Sequence, residues 1–265
     1  MVMALGLRNW ELASGLLFAY TAILSVVVRG LPPRIRVRIL VGSAAGFSVV
    51  ALSMLTPSNV VLHGWLLPPL LLLLAYWTTG LLFTAPMRRS EESLRQLDRA
   101  LRIGQVASAV PRWLAELLEF SYAAVYALVP LALVFHVTFS AVPDYTRFWT
   151  VILVTDYVCF ALLPWIRTRP PRALEAGEPW RSSFREVNLR VLGATSIRVN
   201  TVPSGHAAEA LAAVLLTSNA PAPIVAWMLL CGLAVSAGAV LGRYHYAADA
   251  ITGWLVALAV WRVFG

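Results

Sequence analysis

Residues 222–249 read APIVAWMLLCGLAVSAGAVLGRYHYAAD, an almost wholly apolar run that ends abruptly in polar residues including Arg243, His245 and Asp249. A run of about 20 apolar residues is what a helix needs to cross the hydrocarbon core of a bilayer. Hydrophobic residues make up 59% of the chain and charged residues 13%, against roughly 25% charged residues in soluble domains. These few charges could not solvate a soluble protein of this length, so the sequence predicts an integral membrane protein.

Similar apolar runs recur along the chain and predict an all-α, polytopic bundle of about eight transmembrane helices. Pro68 and Pro69 lie inside the third run, where prolines are expected to kink a spanning helix without ending it. The two cysteines, Cys159 and Cys231, lie in apolar runs, which favours buried small side chains over a disulfide or a zinc site. The predicted spans are residues 11–28, 38–55, 58–84, 114–141, 148–166, 204–219, 222–241 and 247–264.

Two loops between these spans are long enough to have structure of their own. In residues 85–113, arginines alternate with leucines at a spacing that predicts an amphipathic helix on the membrane surface. A solvated connector helix is the alternative for this segment. The second loop, residues 167–203, holds seven arginines.

All 21 basic residues are arginines, and the net charge is +8. This charge could suggest nucleic acid as a partner, but the arginines sit in loops between apolar runs, as topology signals do. With eight spans, 18 arginines lie on one face and three, Arg8, Arg147 and Arg262, on the other. Positive residues stay in the cytoplasm. We therefore expect a multi-pass protein of the cell's inner (plasma) membrane that contacts the lipid bilayer and does not bind nucleic acid.

Three motifs fall on this arginine-rich face, and each has residue types suited to phosphate chemistry. In the first, residues 164–172, arginines offer paired donors for phosphate oxygens. In the second, residues 203–206, Ser204 is a good N-cap, so the first amides of the helix and its dipole would face an anion beside His206. In the third, residues 242–249, His245 and Asp249 are four residues apart and would share one face of a helix. The carboxylate could then orient the imidazole and leave its other nitrogen free to attack.

The three motifs in this order resemble the membrane type-2 phosphatidic acid phosphatase superfamily. Its signatures are a basic segment ending Arg-Pro, then Pro-Ser-Gly-His, then an arginine-containing stretch ending His-x-x-x-Asp. Residues 203–206 match the second signature without a change, and His245 with Asp249 match the end of the third. The resemblance covers about residues 160–255. It implies a six-helix catalytic core within residues 114–265, preceded by an N-terminal part, residues 1–113.

Two departures from the family pattern affect the phosphate-binding residues. Leu162 stands where the first signature has a lysine, so Arg167 or Arg172 must substitute for it. Ala239 stands where the third signature usually has an arginine, which leaves Arg243 as the nearby candidate. The sequences Arg-Pro-Pro-Arg (residues 169–172) and Tyr-His-Tyr-x-x-Asp (residues 244–249) are similar instead to those of the branch that contains inositolphosphotransferases.

The resemblance implies a mechanism without a metal or a cofactor. His245 would be the nucleophile that forms a phosphohistidine, Asp249 would orient it, and His206 would protonate the leaving alcohol. The phosphoryl oxygens would be held by Arg169, Ser204 and Gly205, with Arg243 as an addition and Arg167 or Arg172 in place of the missing lysine.

The resulting expectation is a membrane phosphatase that hydrolyses a lipid phosphate, such as phosphatidate or a polyprenyl phosphate, at a site facing the cytoplasm. A phosphotransferase that moves the phosphoryl or phospho-head group to an alcohol is the alternative. A transporter, or a catalytically inactive binding protein of the same fold, is a third interpretation, because carboxyl groups inside the spans could serve transport. These carboxyl groups belong to Glu116, Glu119, Asp156 and Glu209.

Overall fold

The computed structural model describes residues 7–56, 59–197 and 199–265. Within these ranges the chain is helical, and the prediction of an all-α bundle is confirmed. The α-helices are α1 (Asn9–Val27), α2 (Pro33–Leu55), α3 (Leu67–Gly80), α4 (Arg88–Ala100), α5 (Ile103–Ser108), α6 (Arg112–Phe139), α7 (Tyr145–Ala161), α8 (Ser183–Thr195), α9 (Gly205–Leu216), α10 (Ala222–Leu241) and α11 (Ala247–Phe264).

Five of the described helices are long and apolar enough to cross a membrane, namely α1, α2, α6, α10 and α11. The other three predicted spans also coincide with helices, but these helices are shorter. The α7 helix has 17 residues and α9 has 12, while the third span contains the 14 residues of α3. The chain is therefore a membrane protein with five candidate spans, and the number of eight crossings stays a prediction.

The third predicted span remains helical through its prolines. A π-helical turn at Leu62–Leu66 runs directly into α3, and the amide of Leu67 donates to the carbonyl of Leu62. Pro68 and Pro69 then occupy the first turn of α3, where a missing backbone N–H costs little. The wider turn thus lets the helix continue past the two prolines.

The α7 and α9 helices form the centre of the bundle. The α9 helix packs against α6, α7, α10 and α11, while α7 also packs against α1 and α3. A Cβ atom at Gly253 of α11 would lie 2.6 Å from the carbonyl oxygen of Ser204. Only glycine therefore allows α11 to approach the start of α9 this closely. This contact brings the second and third sequence motifs together.

The loop helices are attached to the bundle through hydrogen bonds and ion pairs of acidic side chains. In the first loop, Glu91 and Asp98 of α4 are buried against the arginine motifs, so α4 is docked onto the bundle rather than solvated on all sides. In the second loop, Glu116 of α6 accepts hydrogen bonds from the hydroxyl of Ser182 (2.6 Å) and the amide of Ser183 (2.9 Å). Glu116 thereby fixes the start of α8.

Candidate active site

Backbone hydrogen bonds tie the three sequence motifs to one another. The amide of Asn200, just before the second motif, donates to the carbonyl of Thr168 in the first (2.9 Å). The amide of Ser204 donates to the carbonyl of Asp249 in the third motif (2.9 Å), and that of Arg172 donates to the carbonyl of Arg243 (3.0 Å). The third motif is therefore bonded to both of the others, and the residues just before the second motif are bonded to the first, although the bonded residues lie up to 71 positions apart along the chain.

The start of α9 has the capped geometry that the sequence predicts. Ser204 is the N-cap, and its hydroxyl accepts a hydrogen bond from the amide of Ala207 (3.3 Å). Gly205 follows with its Cα against α7, where an added Cβ would lie 3.3 Å from Oδ1 of Asp156 and 3.4 Å from Phe160. The first turn of α9 is thus pressed between α7 and α11, and it holds His206 at a defined position.

The two motif histidines face one another. The ring centroids of His206 and His245 are 5.8 Å apart. His206 stacks on Tyr122 with a centroid distance of 5.2 Å and meets the edge of Tyr126 at 5.9 Å. Nε2 of His206 is buried and has no hydrogen-bond partner within the described residues, so it can exchange a proton with a ligand in this space. Nδ1 of His245 lies on the side of Asp249, 3.7 Å from its Oδ2, which leaves Nε2 of His245 as the nitrogen for attack on a phosphoryl group.

Asp249 relates to His245 differently from the sequence prediction. The α11 helix begins at Ala247 with Tyr246 as its N-cap, so His245 precedes the helix rather than sharing a face of it. The distance from Nδ1 of His245 to Oδ2 of Asp249 is 3.7 Å, too long for a hydrogen bond. Oδ2 accepts instead from the side chain of Asn200 (2.8 Å) and from the amide of Tyr246 (2.8 Å). Asp249 thus fixes the turn that carries His245.

His245 is kept neutral by its surroundings. It lies in the short turn between α10 and α11 and is 6% exposed. Burial, aided by the positive charge of Arg172, lowers the pKa of His245 to about 3 from its ordinary 6.5. An unprotonated imidazole is the form that can act as a nucleophile.

Three of the four arginines expected at the phosphate are engaged elsewhere. Arg169 forms a bidentate ion pair with Glu91, in which Nε donates to Oε1 (2.9 Å) and Nη2 donates to Oε2 (2.8 Å). Arg243 is bound by Asp98 (2.6 Å) and by Glu175 (2.8 Å). The guanidinium of Arg167 donates to the carbonyls of Ala85 and Pro164, at 2.9 Å each. Carboxylates and carbonyls of the protein therefore accept hydrogen bonds from the guanidinium groups that the sequence assigned to phosphate.

Arg172 is the arginine that reaches the histidines. It forms no ion pair with a carboxylate of the described residues, and its charge acts on both His206 and His245. The guanidinium lies over the ring of Tyr244, with its carbon 5.0 Å from the ring centroid, and Nη1 donates to the Tyr244 carbonyl (3.4 Å). The ring of Tyr244 also stacks on that of Tyr122, with ring centroids 4.1 Å apart.

A cavity of about 350 Å³ contains these groups. His206, His245, Arg172 and Gly205 line it, whereas Arg167, Arg169, Arg243, Ser204 and Asp249 do not. One wall is apolar and comes from α3 and α8, and its members Leu73, Trp77 and Val191 are also exposed on the outer surface. The cavity therefore joins a polar end that holds the histidines to an apolar wall that faces outward.

Several residues of the site carry no clear signal in a single sequence. Tyr122 and Tyr126 sit in an apolar helix, and Asn200 lies in a loop before the second motif.

The four carboxyl groups that the sequence places within the predicted spans fall into two groups in the structure. Glu116 and Glu119 bind α8, since Glu119 pairs with Arg185 at 2.9 Å. Asp156 and Glu209 line the cavity.

Comparison with known families agrees with this arrangement. A family model described as the PAP2 superfamily matches residues 92–263, a stretch that runs from α4 almost to the end of α11. The chain belongs to the PAP2 superfamily, the type-2 phosphatidic acid phosphatases. No curated protein and no solved structure matches the chain significantly. Because members of this superfamily are phosphatases or phosphotransferases, membership indicates a phosphatase-type membrane function.

Proposed function

We propose that the protein is a lipid phosphate phosphatase that works through a phosphohistidine. The observation that carries the proposal is the pair of histidines, with ring centroids 5.8 Å apart, in a cavity that has an apolar wall and an arginine, Arg172, without a carboxylate partner among the described residues. This geometry and membership of the PAP2 superfamily together support the following roles for the residues of the site.

In the first half of the reaction, Nε2 of His245 attacks phosphorus while the bond from phosphorus to the lipid oxygen breaks. His206, kept protonated by the negative phosphate beside it, gives a proton to that oxygen, so the lipid leaves as a neutral alcohol. Arg172 and the amides at the start of α9 neutralise the charge on the phosphoryl oxygens. Asp249 holds the turn of His245 in place through Asn200 and the Tyr246 amide.

In the second half, an oxygen nucleophile attacks the phosphohistidine and the bond from phosphorus to nitrogen breaks. His206, now neutral, takes the proton of this nucleophile. Water yields free phosphate and restores His245, whereas a second alcohol yields a new phosphate ester. Hydrolysis is the main proposal because residues 203–206 have the Pro-Ser-Gly-His sequence of the phosphatases. Transfer is the alternative because the Arg-Pro-Pro-Arg sequence of residues 169–172 is similar to that of the transferase branch.

A membrane lipid phosphate is the proposed substrate because of the apolar wall. Leu73, Trp77 and Val191 connect the cavity to the outer surface of the bundle, so an acyl or prenyl chain can stay in the bilayer while its phosphate reaches the histidines. Each methylene kept in apolar surroundings contributes about 0.8 kcal/mol. Residues 114–265 would form the catalytic domain, residues 1–113 would add α1–α5, and the site would face the cytoplasm of the inner membrane.

The test uses purified protein in nanodiscs and a ³²P-labelled long-chain lipid phosphate, with and without glycerol or inositol. Release of free phosphate at a rate independent of the alcohol supports hydrolysis. Label that moves to the alcohol, with little free phosphate, supports transfer. Equal catalytic efficiency on a long-chain lipid phosphate and on a short soluble ester would contradict a lipid substrate.

A further inference from the structure

The cavity contains two carboxyl groups that the proposed chemistry does not use. Asp156 of α7 is 2% exposed, and its Oδ2 has no hydrogen-bond partner within the described residues. Glu209 of α9 also lines the cavity and forms no ion pair with a described basic residue. A buried carboxyl group without a partner costs free energy, so its position calls for a ligand.

These carboxyl groups lie beside His206. Glu209 follows it by three residues, so both side chains occupy the same face of α9. Oδ1 of Asp156 is packed under Gly205, the residue before His206, where an added Cβ would be only 3.3 Å away. The two carboxyl groups also interact with each other electrostatically. They therefore form one acidic region next to the histidine that exchanges a proton with an alcohol.

The cavity is consequently polarised. Arg172 acts on the two histidines, and this end suits the phosphate. The end with Asp156 and Glu209 offers carboxyl oxygens as hydrogen-bond acceptors. A ligand group that fits there must donate hydrogen bonds and must sit close to the oxygen that His206 protonates or deprotonates.

We propose that Asp156 and Glu209 form a subsite for hydroxyl groups on the alcohol that leaves or accepts the phosphoryl group. This inference rests on the proposed function and adds a preference for alcohols with a second hydroxyl near the reacting oxygen. The hydroxyl can come from the leaving lipid or from an acceptor polyol, and the two sources are separable by experiment.

The experiment measures two ratios with the full-length protein in nanodiscs. The first ratio compares kcat/KM for lysophosphatidate, which has a free hydroxyl near its phosphate, with that for hexadecyl phosphate, which has none. The second compares label transferred from hexadecyl phosphate to glycerol or inositol with label released as phosphate. Both are measured for the wild type, Asp156→Asn and Glu209→Gln.

We expect at least one ratio to fall about tenfold in each variant, the loss expected when one buried hydrogen bond is removed. A fall in the first ratio assigns the subsite to the leaving lipid, and a fall in the second assigns it to the acceptor. Asp144→Asn is the matched control, because Asp144 is the exposed N-cap of the same helix as Asp156. Both ratios should stay at the wild-type value in this control.

Ratios within twofold of the wild type in both variants would overturn the subsite. So would a wild type that prefers hexadecyl phosphate to lysophosphatidate and also transfers nothing to a polyol, a result that does not depend on the folding of any variant. In either case phosphate release from hexadecyl phosphate would leave the proposed function standing. Absence of release from every lipid phosphate would contradict the proposed function itself.

Discussion

Replacement of Arg172 by glutamine should reduce phosphate release far more than replacement of any other arginine in the first motif. Arg172 lines the cavity without a carboxylate partner, whereas the guanidinium of Arg169 is bound on two nitrogens by Glu91. A hydrogen bond to a charged group is worth about 1.5–3 kcal/mol. Two such bonds from one guanidinium, each at the lower value because the cavity is open on one side, amount to about 3 kcal/mol. The expected loss in kcat/KM is therefore about 100-fold.

The assay is phosphate release from a long-chain lipid phosphate in nanodiscs, with thermal unfolding measured in parallel. Arg172→Lys keeps the charge but loses the two-pronged geometry, so it should retain more activity than Arg172→Gln. Arg190→Gln is the control, because Arg190 is exposed on α8 and pairs only loosely with Glu186, at 3.6 Å. The reasoning is refuted if Arg172→Gln stays within threefold of the wild type, or if Arg169→Gln is the more damaging change.

Three further predictions concern the histidine and the orientation of the site. His245→Ala should abolish turnover and ³²P labelling of the protein, whereas Asp249→Asn should slow turnover about 100-fold and leave it measurable; labelling of His245→Ala would exclude this nucleophile. Because burial lowers the pKa of His245 to about 3, its ¹⁵N NMR signal should remain that of a neutral ring at pH 5. The folded state then takes up no proton while the unfolded state does, so this residue's contribution to stability is lost as pH falls below about 6.5; a charged ring at pH 5 would contradict this. A cysteine introduced at the exposed Ser183, in a background with Cys159 and Cys231 replaced, should react with an impermeant reagent only after cells are permeabilised, and labelling of intact cells would reverse the proposed topology.

The sequence alone determined the membrane character, the helical class and the location of the three motifs. Apolar runs reveal spans because a bilayer has a fixed thickness and demands internally satisfied backbone groups. The N-cap role of Ser204 was also predictable, since capping depends on neighbours within one helical turn. These features are local, so one amino-acid sequence is sufficient to predict them.

The choice of arginine depended on the tertiary structure. The sequence predicted that Arg169 and Arg243 bind phosphate. In the structure, Arg169 pairs with Glu91, and Arg243 pairs with Asp98 and Glu175. Ion pairs of this kind join residues up to 145 positions apart, and no spacing rule along the sequence specifies them.

The relation between the candidate catalytic residues likewise depended on the tertiary structure. The four-residue spacing predicted a shared helix face for His245 and Asp249, but α11 begins after His245, and the distance between them is 3.7 Å. The stacking of His206 on Tyr122 and the approach of Asp156 to Gly205 each join different helices. Such contacts are set by how helices pack, because packing depends on side-chain shapes on several helices at once.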